Sequence, residues 1–69
     1  MKTFKSNSTQ LMENKKWIPS GMLFEINNYG EQIITTPLQL SIQLETKEEA
    51  DKYFNSYCIK QGYKPSRIN

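Results

Sequence analysis

The sequence predicts an α+β domain in which a three-stranded antiparallel β-meander packs on one C-terminal α-helix. Two segments, residues 22–27 and 31–36, have the composition of strands and are joined by the turn sequence "NNYG". Residues 38–45 alternate apolar and polar side chains, which is the period of a half-buried strand. Residues 46–62 begin with a helix-capping sequence and then carry apolar side chains at spacings of three and four. The predicted order of elements is therefore β-β-β-α.

The chain has 69 residues, which is the length of one small domain with a thin hydrophobic core. We expect a flexible basic arm over residues 1–16, the β-β-β-α domain over residues 17–63 and a basic tail over residues 64–69. The first segment is polar, and its few apolar residues repeat at neither the strand nor the helix period. Chain ends without such a pattern are usually poorly ordered.

The first two strands are predicted to form a hairpin. In "MLFEIN" the residues Met22, Phe24 and Ile26 share one face, and this face is expected to line the core. Gly30 adopts a positive φ freely, so the "NNYG" loop favours a tight reversal. The second strand, "EQIITT", is rich in β-branched residues. Pro37 lacks a backbone N–H and is expected to end that strand or bend it.

The third strand, "LQLSIQLE", has the strongest strand pattern of the chain. Its inward side chains are predicted to be Leu38, Leu40, Ile42 and Leu44, and its outward side chains Gln39, Ser41, Gln43 and Glu45. A single bent strand from Glu31 to Leu44 is the alternative, because the residues before Pro37 do not form a tight hairpin turn.

The helix is predicted to begin after Thr46, whose hydroxyl can accept a hydrogen bond from the backbone N–H of Glu49. The apolar side chains that follow form one stripe expected to pack on the sheet: Ala50, Tyr53, Phe54, Tyr57 and Cys58. Gly62 supplies a residue that tolerates positive φ where the helix should stop.

The composition argues against enzymatic chemistry. The chain has no histidine, and its carboxylates lie in predicted turns, on solvent faces or in the first turn of the helix. Its one cysteine, Cys58, falls near the C-terminal end of the helix, where the helix dipole disfavours a thiolate. We therefore expect no catalytic site, no metal, no cofactor and no small-molecule substrate.

A single cysteine also fits a reducing compartment, which favours a cytoplasmic location. The first residues lack the apolar run of a signal peptide, and no stretch approaches the roughly 18 apolar residues of a membrane helix. We therefore expect no membrane association.

The leading functional hypothesis is a binding or regulatory module. Gln39, Ser41 and Gln43 form a polar but uncharged row on the predicted outer face, which could pack on another protein without burying ions. The partner is expected to be another protein or a second copy of the chain, because a small core gains from self-association.

Nucleic-acid binding is the alternative hypothesis. Both ends of the chain carry an excess of positive charge, whereas residues 21–51 are acidic. Basic ends could neutralise phosphates. The candidate residues are Lys15, Lys16, Lys60, Lys64 and Arg67.

The phrase "LETKEEADKYF" after a strand, together with the order of elements, resembles the strand-to-helix junction of AP2-type and integrase arm-type DNA-binding domains. The resemblance covers Leu44 to Cys58. It implies a three-stranded sheet on a helix, with DNA read by the exposed sheet face. This sequence departs from the family pattern there, because its predicted outer positions are Gln, Ser and Glu rather than Arg and Trp. No DNA-reading role is carried over to them.

Overall fold

A computed structural model describes residues 1–66 of the chain. It contains one helix and six strands. In chain order the elements are β1 (Lys2–Ser6), β2 (Thr9–Gln10), β3 (Trp17–Ile18), β4 (Ser20–Ile26), β5 (Gln32–Gln39), α1 (Lys47–Lys60) and β6 (Lys64–Pro65). The protein is α+β, as the sequence predicts.

Four strands form one mixed sheet in the order β5-β4-β1-β6, and β2 pairs with β3 in a small separate sheet. The β4–β5 and β1–β4 pairs are antiparallel, and β6 runs parallel to β1. The helix packs on β1, β3, β4 and β6. Strand β5 therefore lies at one edge of the sheet and beyond the main cover of the helix.

The expected three-stranded antiparallel meander is wrong, and the largest difference lies at the N-terminus. Residues 2–6 are not an arm but strand β1, which pairs with β4 on one side and β6 on the other. Only Phe4 in this segment is a large apolar residue that enters the core. A strand with a single core-facing apolar residue shows no alternation of apolar and polar residues in its sequence. It is held in place by hydrogen bonds to the strands on either side, which the local sequence does not reveal.

The second and third predicted strands also differ from the structure. Strand β5 continues through Pro37 and ends at Gln39, so residues 40–45 leave the sheet. Beyond that point Leu44 forms an isolated antiparallel bridge with Trp17, in which each backbone N–H donates to the other carbonyl at 2.7–2.8 Å. The predicted alternation of burial is nevertheless confirmed, since residues 38, 40, 42 and 44 are half-buried and those between them are exposed.

The predicted start and stop of the helix are confirmed. The Thr46 hydroxyl accepts a hydrogen bond from the Glu49 backbone N–H at 3.1 Å, which satisfies one of the free donors of the first turn. Gly62 has a φ of 92°, and the N–H of Tyr63 donates to the carbonyl of Cys58 at 3.0 Å. The β4–β5 loop likewise contains Gly30 at a φ of 81°.

The core lies between β1, β4 and one side of the helix. Phe4, Phe54 and Cys58 are almost fully buried, and the rings of the two phenylalanines meet edge to face with centroids 6.0 Å apart. Leu23, Leu38, Leu40 and Tyr63 pack around them.

The predicted inward face of β4 is therefore wrong: Leu23 faces the helix, while Met22, Phe24 and Ile26 face away. Gly21 provides the physical reason. A Cβ at this position would lie 2.8 Å from the Phe54 ring and would collide with the carbonyl oxygen of Lys5. The missing Cβ of Gly21 would point toward the helix, and its absence lets the Phe54 ring approach β4 closely on that side. Leu23, two residues later, shares the same side.

Candidate binding surfaces

The one thiol in the chain is buried, and burial disfavours its thiolate form. Cys58 is 1% exposed, and its burial raises the pKa of the thiol to about 11. It packs with Phe4 and Phe54 as a small apolar side chain.

Asp51 links the helix to the loop between β1 and β2. Its Oδ1 accepts hydrogen bonds from the hydroxyl and the backbone N–H of Ser8, at 2.5 Å and 2.9 Å, and Lys47 lies 3.3 Å from its Oδ2. Burial alone would raise the pKa of Asp51, but the hydrogen bonds from Ser8 and the Lys47 charge outweigh it and hold the pKa below its usual value. The result is a tie between the β1–β2 loop and the helix.

Within residues 1–66, no group of three or more Cys, Asp or Glu side chains could hold a metal ion. The same part of the chain contains no helix that is long and apolar enough to cross a membrane.

The first candidate surface is the side of the sheet that carries no helix, which we call the uncovered face. Cross-strand partners share a face of a sheet, so the register places the residues opposite Met22 and Phe24 on it. Its central members are Thr3 and Lys5 from β1, Met22 and Phe24 from β4, Thr35 and Pro37 from β5, and Lys64 from β6. Its centre is apolar and half-buried.

The charges on the uncovered face are all positive. Lys5 lies opposite Met22, and Lys64 lies in one row with Thr3 and Phe24. Glu25 is the only acid in the four strands of the sheet, and it points to the helix side with Leu23. The uncovered face is therefore apolar along β4 and basic along β1 and β6.

The second candidate surface is a concavity of about 430 Å³ on the solvent side of the helix, which we call the tyrosine groove. Leu44, Tyr53 and Tyr57 form its apolar walls. Its polar residues are Glu49, Lys52, Ser56 and Lys60. A concave site with an apolar lining and few polar groups is the usual form of a ligand site.

The edge of the sheet formed by β5 is a poorer binding site than the uncovered face and the tyrosine groove. The Leu40 N–H donates to the carbonyl of Pro19 at 2.9 Å, and hydrogen-bonded and non-hydrogen-bonded pairs alternate along an antiparallel ladder. The backbone of Gln39, Pro37 and Thr35 therefore points away from β4. Pro37 has no N–H to offer there, and the β4–β5 register shifts at Glu25/Ile26. A proline and a bulge are two of the features by which natural edge strands avoid pairing with another chain.

Only Gln39 of the predicted partner-binding row lies in the sheet, where its pairing with Ser20 places it on the same side as Met22 and Pro37. Gln39 is the last residue of β5, whereas Ser41 and Gln43 belong to the segment that leaves the sheet. All three side chains are exposed, and the Gln43 Oε1 accepts a hydrogen bond from Asn14 Nδ2 at 3.0 Å.

The predicted basic site is split between the two ends of the helix. Lys15 and Lys16 precede β3, and the Lys16 ammonium lies 3.5 Å from Glu45, just before the helix starts. Lys60 is in the last helical turn and Lys64 in β6. The 14-residue helix between these pairs is about 20 Å long at ~1.5 Å per residue, so one short ligand does not reach both. Arg67 lies outside the described residues.

Sequence reasoning missed Lys5, Phe24 and the exposed tyrosines as surface residues. The sequence predicts Lys5 in a flexible arm and Phe24 in the core. A signal was present for Tyr53 and Tyr57: the predicted stripe of five residues is wider than one face of a short helix needs, and the structure buries Ala50, Phe54 and Cys58 alone.

No family model, no curated protein and no solved structure matches this chain. The likeness to AP2-type and integrase arm-type domains accordingly stays a hypothesis.

Proposed function

We propose that this chain is a small non-catalytic binding module that recognises another protein through the uncovered face. One observation carries the proposal. Met22 and Phe24 occupy the centre of a sheet face on which Lys5 and Lys64 are the only charged side chains of the described strands. Apolar centres with a charged rim are the usual anatomy of an interface.

The same arrangement favours a different protein over a second copy of the chain. Two copies stacked through this face would bury Lys5 and Lys64 with no acid from the partner strands to pair with them, and unpaired buried charges are costly. The blunted edge at Pro37 also disfavours dimers that extend the sheet. The partner that fits best carries an apolar patch bordered by Asp or Glu side chains.

Single-stranded nucleic acid is the second candidate, and a specific observation supports it. Phe24, Thr3 and Lys64 lie in one row across the sheet, with Lys5 two residues along β1. A base could stack on the phenylalanine while the lysines neutralise adjacent phosphates. We place it second because Met22 and Pro37 add apolar area but neither charge nor an aromatic ring.

The proposal is tested by affinity capture with the immobilised wild-type chain, followed by titration of the purified captured protein. The test variants are Phe24→Ser and the charge-reversal pair Lys5→Glu with Lys64→Glu. The matched control reverses Lys15 and Lys16 to Glu, which changes the net charge equally at the other end of the molecule.

We expect both test variants to weaken binding by roughly tenfold or more, while the control pair binds like the wild type. Equal loss in the control would mean that only net charge matters and would overturn the site. A fluorescein-labelled oligodeoxythymidine is titrated in parallel. If it binds through Phe24 and the same two lysines, and no protein does, the nucleic-acid candidate replaces the protein one.

A further inference from the structure

The tyrosine groove contains aromatic side chains that the fold does not need for its core. Ala50 and Phe54 have no exposed surface and Cys58 is 1% exposed, whereas Tyr53 and Tyr57 are 46% and 38% exposed. The two tyrosines are four residues apart and are therefore neighbours on the helix surface. Tyrosine is enriched at binding sites because it offers a rigid apolar ring with a polar tip.

The shape of the groove suits a narrow ligand. Leu44, in the segment that approaches the helix after β5, lines it together with Tyr53 and Tyr57. The volume of about 430 Å³ lies in the range of roughly 300–1,000 Å³ that is typical of ligand sites. This space accommodates one large apolar side chain with its backbone.

The charges define what surrounds that apolar side chain. Lys52 and Lys60 both line the groove and lie eight residues apart on the helix, which is about 12 Å along its axis at ~1.5 Å per residue. Glu49 lies one turn before Lys52, so it repels any ligand carboxylate placed beyond Lys52 at that end of the groove. The groove thus presents two separated positive charges with tyrosines and Ser56 among them.

We propose that the tyrosine groove binds an extended acidic peptide that has two carboxylates four residues apart and one large apolar residue midway between them. An extended chain rises about 3.3 Å per residue, so four residues span about 13 Å, which matches the separation of Lys52 and Lys60. Residues i, i+2 and i+4 of an extended chain share one side. Both acids and the central apolar side chain therefore face the groove together.

A second copy of the chain does not supply this ligand. In the full sequence the only two acids four residues apart are Glu45 and Glu49, and the residue between them is Lys47 rather than an apolar one. The occupant is accordingly a segment of another protein. The groove is separate from the uncovered face, so this inference does not depend on the proposed function.

The test uses fluorescence anisotropy with a fluorescein-labelled peptide that contains Glu-Ser-Phe-Ser-Glu between Gly-Ser flanks. The composition-matched control peptide contains Glu-Glu-Phe-Ser-Ser, which keeps the charge and changes only the spacing. The protein variants are the pair Lys52→Glu with Lys60→Glu, the pair Lys15→Glu with Lys16→Glu as a charge control, and the pair Lys5→Glu with Lys64→Glu from the uncovered face. The substituted lysines are solvent-accessible, and thermal unfolding verifies that each variant folds.

We expect the first peptide to bind with a Kd on the order of 100 μM or tighter. The control peptide and the Lys52/Lys60 variant should each bind at least roughly tenfold more weakly, because each loses charge pairing across the groove. Both other variants should match the wild type, which separates this site from the uncovered face. The inference is overturned by equal affinity for the two peptides, by unchanged binding in the Lys52/Lys60 variant, or by no binding at about 1 mM peptide. Displacement of the peptide by oligodeoxythymidine through the same lysines would assign the groove to nucleic acid and overturn it too.

Discussion

The two sides of strand β4 differ in whether the helix covers them, and the sequence of the strand does not predict which side is covered. One side carries Gly21 and Leu23 and packs on the helix, while the other carries Met22 and Phe24 and has no helix over it. The more apolar side is the uncovered one. The alternation in the sequence therefore groups the side chains of β4 into the correct two faces. Taking the more apolar face as the core, however, gives the wrong face.

Shape, rather than hydrophobicity alone, decides which face of the sheet the helix covers. The Phe54 ring lies so close to β4 that only a glycine fits beneath it. The apolar residues left on the uncovered face are then available for binding.

The largest expected effect comes from removing a core ring and comparing it with a ring on the uncovered face. Phe4→Ala should lower the free energy of unfolding by about 3–5 kcal/mol, because it deletes the edge-to-face partner of Phe54 and leaves a cavity. Phe24→Ala should lower it less, by about 1 kcal/mol, because the side chain is only partly buried. Urea unfolding measures both, and equal losses would mean that the two faces contribute alike.

Gly21→Ala should have the next largest effect. The added methyl group would meet the Phe54 ring and the Lys5 carbonyl, and such overpacking typically costs about 1–3 kcal/mol. Met22→Ala, one residue along the strand on the other face, serves as the control and should cost less. A neutral or stabilising Gly21→Ala would refute the role of this glycine in selecting the face.

Asp51→Asn should lower stability at neutral pH by on the order of 1 kcal/mol, because two hydrogen bonds from Ser8 lose their charged acceptor. The pKa of Asp51 is lowered in the folded state, so its contribution is fully present above the usual pKa of 3.8 and is lost as the pH falls through the folded-state pKa. The difference between wild type and variant, measured by thermal unfolding, should therefore shrink below about pH 4. A constant difference down to pH 2 would contradict the ionised tie between the β1–β2 loop and the helix.

The smallest effect on stability is expected at the edge of the sheet. Pro37→Val restores an outward N–H within an uncharged β-branched strand, so it should change the free energy of unfolding little but promote self-association at high protein concentration. Gln39→Val is the control, because it adds the same side chain without adding an N–H. Light scattering that rises equally for both variants would show that apolar area, rather than the missing donor, governs association.

Sequence reasoning succeeded where the determining interactions lie within a few residues of each other. A few adjacent residues are enough to predict the helix start at Thr46, the stop at Gly62 and the hairpin through Gly30. The reason is that capping and positive φ depend on local sequence. The candidate binding surfaces are harder to predict from the sequence. The predicted Gln39, Ser41 and Gln43 row assumed that a strand continues wherever burial alternates, and a segment with the same alternation can leave the sheet.

The α+β class, both ends of the helix and the β4–β5 hairpin follow from local sequence patterns. Contacts between distant segments determine that residues 2–6 form the inner strand β1, that β6 runs parallel to it and that Leu23 rather than Phe24 faces the helix. The physical reason is the distance along the chain between partners. Phe4 and Phe54 are buried because they meet each other, and neither the contact nor the space made for it at Gly21 can be read from any one segment.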